Sequence, residues 1–461
     1  MRPIAAIAAL LLLVTGCGGD GRDGADGAAP GRETYAFPEP PAVTDRQLEP
    51  PVAAALSLLL RSAVASALDR GALEDVAGSR DPRLAWLVSD LLRFYQGSPD
   101  DDALVAAFNR LTGIDVRGDP LFDDNSWRTV TDHLLAWDLP APPGYRERKA
   151  ELFLALEPRW RPFFSDTDSA IDWRLVSWGG VLLDHRSLGD PGPCPLGCIP
   201  ALDDPELTPA SAGGWYPDER LVFGIVAGDE AVAFPKNIME VHEMVNVTIG
   251  GRRLGIPYCT LCGSAQAYRL DGLPKGVEQP VLRTSGLLSR SNKVMFDLRS
   301  GSVIDTFTGR ALSGALQDAA VTLEQVTVVS SSWGDWKRAH PETRIVARDG
   351  GIGRDYPENP LGGRDDDGPI FPIGDVDARL PVQAPVVGVI SPGGTPIAFA
   401  VGDARRALAA GETVEAGGVE LAEDAGGLRA RTTDGKDVAS HQAFWFAWSQ
   451  FHPETELWTQ G

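Results

Sequence analysis

Basic residues are in short supply: 42 Lys and Arg stand against 64 Asp and Glu in 461 residues, a formal net charge of −22. Nucleic acid and anionic lipid headgroups are both gripped by clustered positive charge, so neither a nucleic-acid footprint nor a polybasic membrane patch is expected. Long apolar runs are missing too. The most apolar stretch, Ile4 to Val14, has eleven residues, against the ~20 that span a bilayer. There is no Gly-x-Ser-x-Gly elbow, no Ser-x-x-Lys, no phosphate loop ending in Gly-Lys-Ser/Thr and no Gly-x-Gly-x-x-Gly after a strand, which removes the hydrolase, nucleotide-loop and dinucleotide signatures. Methionine (4) and cysteine (5) are few, whereas tryptophan (12) is abundant. With 43% apolar and 23% charged residues the remainder is ordinary globular composition, long enough for two or three domains.

The short apolar run has a meaning of its own. Arg2, the stretch Ile4 to Val14 and then Val14-Thr15-Gly16-Cys17 resemble a bacterial lipoprotein signal. That resemblance implies cleavage before Cys17, lipidation of its sulfur, and an exported chain held at the cell envelope through this anchor, on the outer face of the cytoplasmic membrane or in the periplasm. An ordinary secretory signal with an incidental Cys17 is the other reading. Residues 18–44, rich in Gly, Asp, Ala and Pro, suit a flexible tether.

Export changes how the other four cysteines are read, because disulfides persist outside the cytoplasm. Two sequence-local pairs, Cys194 with Cys198 and Cys259 with Cys262, are the simplest arrangement.

Residues 45–170 carry helical periodicity, with apolar positions three and four apart in Val52 to Leu68, Leu84 to Tyr95, Ala103 to Leu111, Trp127 to Trp137 and Arg146 to Leu156. Breaks are expected at Gly71, Gly78, Gly97-Ser98-Pro99 and Pro140 to Gly144. This pattern suggests a small all-α, HEAT-like array. From residue 171 to 461 the texture is β-prone: Leu221 to Val226, Val245 to Ile249, Arg253 to Tyr258, Ala265 to Leu270, Val281 to Ser285, Lys293 to Asp297 and Val321 to Val329. The expected class is α+β, helical first and β-rich second.

The β-rich part repeats itself. Trp333, Trp336, His340, Pro341, Glu342 and Thr343 recur 112 positions later as Trp445, Trp448, His452, Pro453, Glu454 and Thr455. Upstream, Val222-Phe223-Gly224-Ile225 echoes Val386-Val387-Gly388-Val389. An ancient duplication explains both, and only the first copy holds cysteines. Trp, Trp and His at i, i+3 and i+7 share one helix face, and the proline after His favours ending the helix there.

The chemistry-bearing segment is Tyr258-Cys259-Thr260-Leu261-Cys262-Gly263-Ser264, between two expected strands. A Cys-x-x-Cys pair can cycle as a dithiol and disulfide, with Cys259 attacking and Cys262 resolving. It can instead give two thiolates to zinc or copper, with Gly263 allowing a tight knuckle, or merely brace a loop in an interaction scaffold whose helical array binds a partner at the membrane surface. His242, followed by Glu243, is a third metal ligand in the second case and an electrostatic aid to the thiolate in the first. A zincin motif is excluded because residue 246 is Asn. Cys194 and Cys198 read as a local disulfide, with a shared zinc site as the alternative, and the run Asp365-Asp366-Asp367 as a solvated turn.

These motifs, together with Trp178-Gly179-Gly180-Val181, Val294-Met295-Phe296-Asp297 and Phe444-Trp445-Phe446-Ala447-Trp448, resemble the family called domain of unknown function 3179. The resemblance covers roughly residues 171 to 461. It implies no established activity, but some members carry selenocysteine in the Cys-x-x-Cys motif, which implies redox chemistry at Cys259 and Cys262 with His242 and Glu243. The chain departs from the pattern at His185 to Cys198, an insertion, at Ser302 to Phe307, and at Val247. Cys194 and Cys198 are therefore expected to be a local addition, outside any shared function.

Overall fold

The computed structural model describes residues 34–122, 125–194, 197–363 and 368–460. The signal, Cys17, residues Pro195 and Leu196 and the acidic run Asp365 to Asp367 lie outside the described residues. Two compact units make up the chain. One holds residues up to Thr167 with Asp172–Gly180 and Phe371–Val376; the other holds Asp168–Ile171, Val181–Ile370 and the residues from Asp377 on.

The first unit is helical: Pro50–Val64, Arg70–Gly78, Ala85–Tyr95, Asp101–Thr112, Ser126–Ala136 and Tyr145–Leu156 are its longer helices. Five follow the apolar periodicity. The sixth, Arg70–Gly78, runs through Gly71, where a break was expected, because the Asp69 carboxylate caps it by accepting from the Ala72 N–H at 2.9 Å. Inside this unit the Lys149 ammonium is buried against Asp90, Nζ to Oδ1 2.8 Å, and Tyr145 donates to the other oxygen at 2.8 Å. Among the described residues no helix is long and apolar enough to cross a membrane.

The second unit is β-rich. One sheet orders its strands Val329–Ser332, Leu221–Ala227, Glu230–Pro235, Arg344–Val346 and Leu207–Pro209. Another orders Ser440–Phe444, Pro385–Ile390, Pro396–Ala400 and Glu456–Trp458. Their first four strands correspond in order and direction: antiparallel, antiparallel, then a parallel pair. In each, a short helix precedes the last of the four, Trp333–Ala339 in one and Trp445–Phe451 in the other. Trp336 donates its indole N–H to Thr343 Oγ1 at 2.9 Å, and Trp448 does the same to Thr455 Oγ1 at 2.8 Å. His340 and His452 end the helices, each with its ring centroid 4.3 Å from that of its tryptophan. The two indoles lie flat on the backbone of Gly224 and Gly388. Burying such a ring against bare backbone supplies large apolar contact that any side chain at the glycine would displace.

Three further sheets complete the unit. Arg252–Cys259 and Met244–Ile249 are central in the one that also holds Gln325–Val326, Ala267–Arg269 and Leu202–Asp203. Leu282–Ser289, Asn292–Asp297 and Val303–Asp305 form the next, and Val414–Ala416, Val419–Asp424, Gly427–Thr432 and Asp437–Val438 the last. The side chain of Asn246, which excluded a zincin, behaves as an extra rung: Nδ2 donates to Leu282 O at 3.0 Å and Oδ1 accepts from Leu282 N–H at 3.1 Å. It clamps the Leu282–Ser289 hairpin across Met244–Ile249.

A methyl group at Gly224 or Gly388 would overlap the indole above it. Gly224→Ala and Gly388→Ala should each lower stability by about 1–3 kcal/mol or more, read by urea unfolding. Unchanged midpoints in both would refute the ring-on-backbone packing.

Candidate functional site

Strand Arg252–Cys259 ends at its cysteine. Thr260–Cys262 make one 3-10 turn, Gly263 adopts a left-handed φ of +57°, and Ser264–Ala265 return antiparallel with Cys259 opposite Ser264. The turn needs glycine twice over, since a Cβ there would sit 2.9 Å from the Phe444 ring as well as in a strained conformation. The Cys-x-x-Cys therefore joins two strands and opens no helix.

Both sulfurs point inward. Cys259 is 1% and Cys262 0% exposed, and both are free thiols. They lie against the carbonyl of Ser291, at 3.8 and 3.7 Å, and Cys262 Sγ is 3.5 Å from Asn292 Oδ1. Burial pushes both thiols up, but the two respond oppositely. For Cys259 the hydrogen bond from Cys262 and the nearby Lys293 outweigh burial and bring it below the ordinary thiol value. For Cys262 burial, reinforced by that same bond and by the Cys259 charge, carries it well above. The two sulfurs thus share one hydrogen bond, with Cys259 the lowered and Cys262 the raised partner.

Lys293 is the residue that inspection of the sequence missed. Its side chain is 5% exposed, and its own pKa is lowered by burial, against the pull of Glu243 and Cys259. Nζ donates to the Glu243 carbonyl oxygen and lies 3.5 Å from Glu243 Oε2. Glu243 sits just after helix Lys236–His242 with φ +50°, a left-handed conformation uncommon for a non-glycine, and Thr260 Oγ1 donates to its Oε1 at 3.3 Å. Lys293 was visible only as one more position in a β-prone run, and nothing in its neighbours announces a buried charge.

His242 is not brought to the thiols. Its Nδ1 is 2.6 Å from Pro200 O and its Nε2 2.7 Å from Tyr356 Oη, so neither ring nitrogen is left for a metal or a thiolate. Burial holds it down to about 4, keeping the ring neutral. It lines a separate cavity of about 420 Å³ with Arg186, Asp203, Arg354 and the cysteines 194 and 198. Those two form the expected disulfide. Asp184, Cys194 and Cys198 are the one set of three metal-capable groups that converge among the described residues, and the S–S bond and the ion pair of Asp184 with Arg186, 2.8 Å, already engage all three. Cys259, Cys262 and His242 do not form such a set.

Three residues that flank the dithiol each have a buried polar atom with no hydrogen-bond partner, Ser264 Oγ, Ser291 Oγ and Asn292 Nδ2, and so has Gln266, two residues along from Ser264, at Oε1. A second buried histidine, His441, lies 3.5 Å from Gln266 Nε2, with its Nδ1 2.7 Å from Gln325 Nε2.

A protein-family model described as "Protein of unknown function (DUF3179)" matches residues 196–439. That span takes in Glu243, the cysteine turn and Lys293 and leaves out Cys194 and His441. No curated protein and no solved structure matches the chain.

Two predictions follow from these charges. Lys293→Met should raise the Cys259 thiol, seen as a shift of the thiolate absorbance titration to higher pH, whereas His242→Asn should leave that titration in place; the reverse ranking would remove Lys293 from the site. Burial, aided by the charge on His452, holds His441 from 6.5 down to about 3. The unfolded chain therefore takes up this proton first, so the stability due to the neutral ring is whole above about pH 6.5 and drains as pH falls toward 3. His441→Gln should flatten the acid limb of the urea-unfolding stability profile by about one proton, roughly 1.4 kcal/mol per pH unit. An identical slope would refute the assignment.

Proposed function

The chain belongs to the DUF3179 family of proteins of unknown function, and we propose that it is a thiol redox protein whose centre is the buried dithiol Cys259 and Cys262. The observation that carries this reading is two free, buried thiols hydrogen-bonded to one another at a strand end, with the Lys293 ammonium buried close to Cys259. A brace needs no buried cation beside it. An attacking thiol is helped by one, because it must be ionised to react. Lys293 takes the electrostatic role first given to His242.

The zinc or copper alternative retains two soft donors, Cys259 and Cys262, but its third ligand, His242, is engaged elsewhere. The remaining parts of the proposal are an exported chain anchored in the membrane through Cys17, an ancient duplication within the β-rich unit, and a HEAT-like helical array. The Cys194–Cys198 disulfide supports the oxidising compartment, and the matching strand orders and Trp-to-Thr bonds support the duplication.

The test is metal analysis with thiol titration on the full chain, purified without added metal or reductant, beside Cys259→Ser and Cys262→Ser. The expected protein is metal-free and carries a Cys259–Cys262 pair that a mild dithiol opens and an oxidant closes without unfolding. Near-stoichiometric metal, lost in both variants, would replace the redox reading with the metal one.

A further inference from the structure

A dithiol that is 1% and 0% exposed poses a question of access. Disulfide exchange with another protein needs the attacking sulfur in line with a foreign S–S bond, and no second backbone can approach sulfurs that point into the core beneath Thr260 and Leu261. Whatever oxidises this pair must be small enough to enter.

The lining says what such a molecule would meet. Ser264 stands opposite Cys259 across the hairpin, the Ser291 carbonyl touches both sulfurs, and Asn292 touches Cys262. All three are at most 2% exposed, and each has a side-chain polar atom with no partner, as has Gln266, two residues beyond Ser264. One orphaned buried group is a small structural cost; several beside a thiol pair offer hydrogen bonds to a small polar molecule. Hydroxyls and an amide N–H can donate, the Gln266 oxygen and the hydroxyls can accept, and none carries charge. The fitting ligand is small, uncharged, and both donor and acceptor.

We infer that the dithiol's oxidising substrate is a small hydroperoxide, bound among Ser264, Ser291, Asn292 and Gln266 beside Cys259. This rests on the redox reading above and narrows its substrate class. In the first step Cys259 sulfur attacks the terminal peroxide oxygen. An S–O bond forms, the O–O bond breaks, and the departing alkoxide (hydroxide, for hydrogen peroxide) takes a proton from the Lys293 ammonium, which solvent later restores. In the second, Cys262 sulfur attacks the sulfenic sulfur. The S–S bond forms, the S–O bond breaks, and the Cys262 proton leaves with hydroxide as water. Two thiol electrons each reduce one peroxide oxygen, giving an alcohol (or water) and water, and a small dithiol returns the pair to its reduced state.

The experiment uses the reduced full chain and follows formation of the Cys259–Cys262 bond by mass, with hydrogen peroxide, tert-butyl hydroperoxide and an oxidised thioredoxin-sized protein disulfide as separate oxidants. Hydrogen peroxide should close the bond about a hundredfold faster in the folded chain than in urea, as expected when the thiolate and its surroundings are held in place. The protein disulfide should be inert toward the folded chain. In Cys262→Ser, dimedone should trap a sulfenic acid on Cys259. Ser264→Ala and Ser291→Ala remove hydroxyls that bond nothing, so both should fold with undiminished stability and an unchanged thiolate titration, yet react about tenfold more slowly, the size of one lost transition-state hydrogen bond. A folded chain no faster than the unfolded one, or equal rates in both alanine variants, overturns the inference. Closure by the protein disulfide and not by peroxide overturns it while keeping the redox centre. Closure by none of the oxidants overturns both.

Discussion

The site depends on a buried ammonium that must be neutralised where it stands. Removing a lysine from water carries a penalty of several kcal/mol unless opposite charge and acceptors meet it. Lys293 finds them in the carbonyl and carboxylate of one residue, Glu243. For a single residue to offer both, its backbone has to turn back on itself, and the left-handed conformation after helix Lys236–His242 does this. Thr260 then hydrogen-bonds the same carboxylate, and Tyr258 donates its N–H to the same Glu243 carbonyl at 2.9 Å. The cysteine turn is thus pinned to the helix end by the groups that neutralise Lys293, and the leftover positive potential falls on Cys259.

The parts of this arrangement differed in how far they could be read from the sequence. Strands such as Met244–Ile249 and Arg252–Cys259 announce themselves by β-branched, alternating residues bounded by glycine and charge, and the five periodic helices by apolar spacing. Gly263 was legible as a tight turn because the residue type and the conformation are tied. The tryptophan helices were legible because a repeat makes coincidence implausible. Helix Arg70–Gly78 was not, since Gly71 reads as a breaker until the Asp69 cap is seen.

The site's electrostatics were legible only as a composition. Proximity in sequence favoured His242, seventeen positions before Cys259, as the group beside the thiols. In space the helix end turns His242 toward Pro200 and Tyr356, while Lys293 arrives from another sheet. That delivery relies on long-range clamps such as the Asn246 amide bridging to Leu282. A buried lysine inside a β-prone run has no local signature, because burial is a property of what packs over it.

The two sheets of matching order differ in what lies between their corresponding strands. In both, a helix follows the second strand, Lys236–His242 in one and Val401–Ala409 in the other, and both close with a tryptophan helix and a parallel strand. Between those fixed points the second has only the strands from Val414–Ala416 to Asp437–Val438, a plain antiparallel sheet whose core is aliphatic. The first carries everything from Met244–Ile249 to Gln325–Val326, including the cysteine hairpin, the Lys293 strand and the unpartnered polar lining. Each sheet has its own local ties: indole on glycine, tryptophan to threonine, strand to strand. The first segment keeps a buried charge, a left-handed Glu243 and unpartnered hydroxyls, features that cost stability and gather at functional sites. The gathering of such costly groups around two thiols, beside a second sheet whose core among the described residues is aliphatic, is what supports the proposed redox role.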